Sequence, residues 1–125
     1  MTDGVARPPD GKFAKRERIL KTGDFRIVYK KGRSVKSGPF VLCYLASSRP
    51  YSRLGFSIAS RNVKLAVQRN RLRRIFREAY RRNKDLIRKP HDLVIVVKGL
   101  RENDIGYIYA ENAIKRLFRL AEISS

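Results

Sequence analysis

A chain of 125 residues has the length of one ordinary domain, enough to bury a core and too short for two. Thirty Lys and Arg against eleven Asp and Glu leave a formal charge of +19, a self-repulsion that points to a polyanionic partner. The longest apolar run, Leu93 to Val97, has the length of a strand and excludes a membrane span, and the single cysteine, Cys43, excludes an internal disulfide and fits a reducing compartment.

Residues 1–11, with Gly4, Pro8, Pro9 and Gly11, read as a flexible N-terminal segment, and residues 12–125 as a single domain. The first eleven residues have no apolar core of the signal-peptide kind, so the expected location is the cytoplasm. Thr22 to Gly32 reads as a short helix: a start at Thr22, an apolar set at Phe25, Val28 and Tyr29, lysines in the last turn, and Gly32 as the stop. A strand is expected between Ser34 and Leu45, without a clear division. Phe40 to Ala46 and Leu54 to Ala59 are β-type runs separated by the turn-rich Ser47-Ser48-Arg49-Pro50, which predicts an antiparallel pair.

The next segment dominates the sequence. Seven arginines, Arg69, Arg71, Arg73, Arg74, Arg77, Arg81 and Arg82, fall within Gln68 to Arg82. Leu72, Ile75, Phe76 and Ala79 interleave at the spacing that forms one apolar stripe of an α-helix. The segment is therefore predicted to be a helix fixed in a core, with Arg69, Asn70, Arg73, Arg74, Arg77 and Arg81 away from the stripe. Its start is open, since Val63 to Val67 could begin it. Beyond Pro90, the run Leu93 to Val97 is apolar on both faces, as an interior strand is. Asp104 to Ala121 places Ala110, Ala113, Ile114, Leu117, Phe118 and Ala121 at helical spacing. The predicted class is α+β, a two-layer α/β sandwich of order α-β-β-β-α-β-α with a strand-helix-strand crossover.

Few residues suit catalysis. His91 is the one histidine and sits in a turn before a strand; the carboxylates are scattered, without a two-metal pattern; Cys43 lies in a strand-like run and reads as a packed thiol. No catalytic residue and no protein-held metal are expected. Nucleic-acid binding has better material, because guanidinium forks match phosphate oxygens bidentately and stack on bases. A merely solvated face would mix signs, whereas Glu78 is the only acid among the helix arginines. The aromatics Phe25, Tyr29, Phe40 and Tyr44 serve either as core or as a stacking platform for unpaired nucleotides.

Arg69-Asn70-Arg71-Leu72-Arg73-Arg74, followed by Arg77-Glu78-Ala79-Tyr80, resembles the protein subunit of bacterial ribonuclease P. The resemblance extends to Phe13-Ala14-Lys15 and Arg18-Ile19, to Asp24-Phe25 through Gly32, to Arg53-Leu54-Gly55-Phe56-Ser57-Ile58, and to Asp92 through Val97. It implies a left-handed crossover and a cofactor role in tRNA 5′ maturation. The catalyst is then an RNA subunit using magnesium, and the partners are that RNA and the 5′ leader of precursor tRNA, with no membrane and no obligate protein partner. The implied RNA-binding residues are Arg61, Asn62, Arg69, Asn70, Arg71, Arg73, Arg74, Arg77 and Arg81. The implied leader-binding residues are Phe25, Tyr29, Arg73 and Arg77. Ser60-Arg61 stands where the family usually has two lysines, Leu65 where a basic or small residue is frequent, and Cys43 where some members have an aromatic. The alternative reading is a general RNA-binding or ribosomal structural protein.

Overall fold

The computed structural model describes residues 15–99 and 106–123; the segment 1–11, the Phe13-Ala14 pair and the first residues of the predicted last helix, Asp104 and Ile105, lie outside them. Among the described residues, three α-helices and four strands follow the predicted order: α1 (Thr22–Lys31), β1 (Arg33–Ser37), β2 (Phe40–Ala46), β3 (Arg53–Ile58), α2 (Ala66–Asn83), β4 (His91–Val97) and α3 (Tyr107–Leu120). A 3-10 turn, Lys15–Glu17, precedes them, and a second, Lys84–Leu86, follows α2.

The sheet has the order β1-β2-β4-β3. β4 lies antiparallel to β2 and parallel to β3, so the expected antiparallel pairing of β2 with β3 is corrected: β4 stands between them. The reason is burial. Leu93, Val94 and Ile95 are apolar on both faces and almost fully buried, which only an interior position provides. The turn residues after β2 lead to a strand that is two places away, and β3, α2 and β4 form the crossover.

The alternation of side chains divides the core. Phe40 and Leu42 of β2 and Leu93, Ile95 and Val97 of β4 face α2 and α3, where Leu72, Phe76, Ala79, Tyr80, Ile114, Leu117 and Phe118 complete the larger cluster. Phe40 belongs to this core, with its ring edge-on to Phe76 at 5.0 Å, and is no stacking platform. On the opposite face Val94, Cys43 and Val96 meet Ile19, Val28 and Phe25, so α1 adds a smaller layer there. The predicted stripe of α2 is buried at Leu72, Phe76 and Ala79 and half-buried at Ile75.

α1 crosses the sheet from β3 to β2. At one end, a Cβ on Gly55 would stand 2.8 Å from the Phe25 ring; at the other, a Cβ on Gly32 would stand 2.5 Å from the Tyr44 carbonyl oxygen. Both glycines are needed for close approach. Gly32 thus ends the helix because α1 is pressed against β2 there. Two buried ion pairs tie the layers. Arg53 donates from Nε and Nη2 to Asp92 at 3.0 and 2.8 Å and from Nη1 to Asp24 at 3.2 Å, joining β3, β4 and α1. Lys84 donates to Glu17 at 2.9 Å, joining the end of α2 to the first 3-10 turn.

Candidate nucleic-acid interface

The arginines of α2 divide into four groups with different surroundings. Arg69 donates through Nη1 to the carbonyls of Val63 and Lys64 at 2.8 and 2.9 Å, fixing the loop that enters the helix. Asn62 ties the same loop to the sheet, its amide donating to the Val97 carbonyl at 3.1 Å. Arg61, Arg71 and Arg74 are exposed, and Asn70 is exposed while its side-chain oxygen accepts from Arg73 at 3.2 Å. The first arginine and the asparagine of the motif therefore hold a loop and orient a neighbour.

Arg73 and Arg77 converge with Arg18 on a groove of about 210 Å³, whose remaining wall includes Phe25, Gly55 and Phe56. The Arg77 guanidinium lies over the Phe56 ring at 5.9 Å from its centre, a cation–π arrangement. Burial, with the nearby charges of Arg18 and Arg73 adding to it, lowers the pKa of Arg77 from its ordinary value. Among the described residues, its buried Nε has no hydrogen-bond partner. A positive potential and an unused donor in one groove describe a place for an anion.

Phe25 is held at this groove from below by Gly55 and from beside by the Arg53–Asp24 contact. Tyr29, 45% exposed, follows one turn later, its ring centre 6.4 Å from that of Phe25. Phe25 lines the groove, and Tyr29 is its ring neighbour on α1, outside the groove's lining. Arg81 is not part of this constellation. It donates to Glu78 through Nε and Nη2 at 2.9 and 2.7 Å, and Arg82 donates to the same carboxylate at 2.9 Å. Those hydrogen bonds, Arg81 first and Arg82 next, hold the Glu78 carboxyl at about 2. The C-terminal part of α2 is thereby partly neutralised, whereas the part from Arg69 to Arg77 is not.

Arg18, Arg53 and Phe56 were not among the residues singled out for the site. Arg18 approaches α2 because Ile19 donates its backbone N–H to the Leu54 carbonyl at 2.9 Å, laying the N-terminal segment along β3. No local pattern signals that pairing. Cys43 is half-buried beside Val94, with burial pushing its thiol pKa up and Lys98 opposing this. His91 Nδ1–H donates to the Lys89 carbonyl at 2.7 Å. Neither is placed with a nucleophile–base partner in these contacts.

A basic α+β protein with an arginine-lined, aromatic-walled groove falls in the class of nucleic-acid-binding domains. The family model described as Ribonuclease P matches residues 13–122. The ribonuclease P protein component of Clostridioides difficile (strain 630) is 35% identical over 112 residues, covering 90% of this chain and 97% of that relative. The protein component of Thermotoga maritima is 38% identical over 84 residues, 67% of this chain and 71% of that relative. Among solved structures, the ribonuclease P protein of Staphylococcus aureus superposes with a TM-score of 0.74 at 28% identity, over 87% of this chain and 98% of that one. That of Thermotoga maritima gives 0.71 at 30% identity, over 83% and 97%. The chain belongs to the ribonuclease P protein family. Its activity is that of a non-catalytic subunit of an endoribonuclease of tRNA 5′ processing, and its partner is RNA.

Proposed function

We propose that the exposed arginines of α2 bind phosphates of the ribonuclease P RNA subunit, while the groove between α1, β3 and α2 takes the 5′ leader of precursor tRNA. The observation that supports this reading best is the meeting of Arg18, Arg73 and Arg77 with Phe25 around one groove. Guanidinium forks suit phosphodiester oxygens, and Phe25 with Tyr29 offers ring faces on which unpaired bases stack. A duplex hides its base faces, so this combination favours an extended single strand.

The RNA subunit performs the cleavage in this reading, and the chain positions substrate. Magnesium serves that RNA-catalysed reaction; among the described residues no three His, Cys, Asp or Glu side chains gather as a metal site, and the proposed place for the ion is on the RNA. The proposed location is the cytoplasm, and among the described residues no helix is long and apolar enough to cross a membrane.

The test uses holoenzyme reconstituted with the RNA subunit. Phe25→Ala should weaken binding of precursor with a long leader and leave its salt dependence almost unchanged. Arg73→Ala should weaken binding and reduce the slope of log affinity against log salt by about 0.7 to 0.9, one phosphate contact. Unaltered leader-dependent affinity in both variants would show that the groove is not the leader site.

A further inference from the structure

A second basic groove lies at the other end of β4 from the arginine motif. The Asn62 loop meets β4 at Val97, whereas this groove opens beside His91. The strand between them spans about 20 Å at roughly 3.3 Å per residue. The groove has a volume of about 630 Å³ and is lined by Lys31, Arg33, Arg88 and Lys89, with Tyr44 and His91 between them. Glu122 is the one acidic residue in the lining.

Its walls are fixed by specific contacts. Gly32 leaves no room for a side chain against the Tyr44 carbonyl, so the end of α1 forms one wall. Arg88 forms another: its backbone N–H donates to the Ile123 carbonyl at 2.9 Å, and its Nη2 donates to the Glu122 carbonyl at 3.2 Å. The rings of Tyr44 and His91 lie 6.3 Å apart, centre to centre. Because a carbonyl oxygen can only accept, the bond to Lys89 places a proton on His91 Nδ1 and leaves Nε2 for another partner. Lys31, Arg33, Arg88 and Lys89 are all exposed.

We propose that this groove is a second RNA-binding site, occupied by a strand of the RNA subunit. Lys31, Arg33 and Lys89 hold its phosphates, and one unpaired base lies against Tyr44 and His91. Cations gathered around an aromatic pair fit a polyanion with flat bases better than an acidic protein surface, which would leave the rings without a stacking partner. The inference rests on the family's RNA partner and not on the leader assignment, since the leader groove lies beside β3 at the other end of α1.

The test is equilibrium binding of the full chain to the RNA subunit across a salt series. The triple variant Lys31→Ala, Arg33→Ala, Lys89→Ala should bind at least about tenfold more weakly, with the salt slope reduced by about two. The ratio of affinities of the reconstituted holoenzyme for long- and short-leader precursors should stay as in the wild type. His91→Ala should weaken RNA-subunit binding without changing the slope. A control triple, Lys36→Ala, Arg49→Ala, Arg116→Ala, removes equal charge from elsewhere on the surface and should lose less affinity. Equal losses in the two triples, no loss in the groove triple, no loss in His91→Ala, or a loss confined to long-leader precursor would each overturn the proposal.

Discussion

Arginines that look alike in the sequence differ by what their guanidiniums already touch. Arg69 holds two loop carbonyls, Arg81 and Arg82 share Glu78, and Arg73 and Arg77 face a groove. Glu78→Gln should therefore release two cations next to the proposed RNA-binding surface. RNA-subunit affinity is expected to rise, with a steeper salt slope, in a direct binding titration; a fall would show that the pairing itself is needed. The same substitution has a pH signature. The folded-state value of about 2 lies below the ordinary carboxylate value, so the stabilisation is complete above the ordinary value and is lost as pH falls towards about 2. Glu78 is more than a third exposed, and solvent screening keeps this contribution to about 0.5 kcal/mol or less. Acid melts of Glu78→Gln should accordingly show slightly less stability loss below pH ~4.5 than the wild type.

At the scale of elements, the position of α1 decides whether Phe25 reaches the groove. Arg53 anchors the helix through Asp24 and the sheet through Asp92 in the same buried network. Arg53→Met would leave Asp92 buried without its charge partner, at a cost of about 3 to 5 kcal/mol by chemical denaturation. Gly55→Ala is gentler and more specific. Its Cβ would push on the Phe25 ring, and the expected result is a loss of long-leader affinity approaching that of Phe25→Ala, with RNA-subunit affinity retained. Periodicity made α2, α3 and the interior position of β4 legible in the sequence, because each buries a face that its apolar residues mark. It did not reveal that β4 separates β2 from β3, since a turn-rich connection says nothing about which strand fills the gap. Of the candidate groove's lining, the family resemblance pointed to Arg73, Arg77 and Phe25, whose role in binding remains the proposal made above. Arg18 and Phe56 enter that lining through long-range pairing along β3, which no local pattern encodes.

Over the whole molecule, a charge of +19 on 125 residues is tolerated because the basic groups lie outside two apolar clusters while the buried cations Arg53 and Lys84 are paired. Assembly with RNA relieves the remaining repulsion, so the protein's thermal stability should increase when the RNA subunit is added, and the increase should shrink as salt is raised. The proposed function joins two roles in one small protein: phosphate contacts that would dock it on the RNA subunit, and a groove with aromatic walls that would take a leader. Cleavage of precursor tRNA by the RNA subunit at low magnesium, with and without this chain, on substrates with long and short leaders, tests that union most directly. The account predicts that the protein improves long-leader substrates well beyond short-leader ones. An equal benefit for both would contradict it.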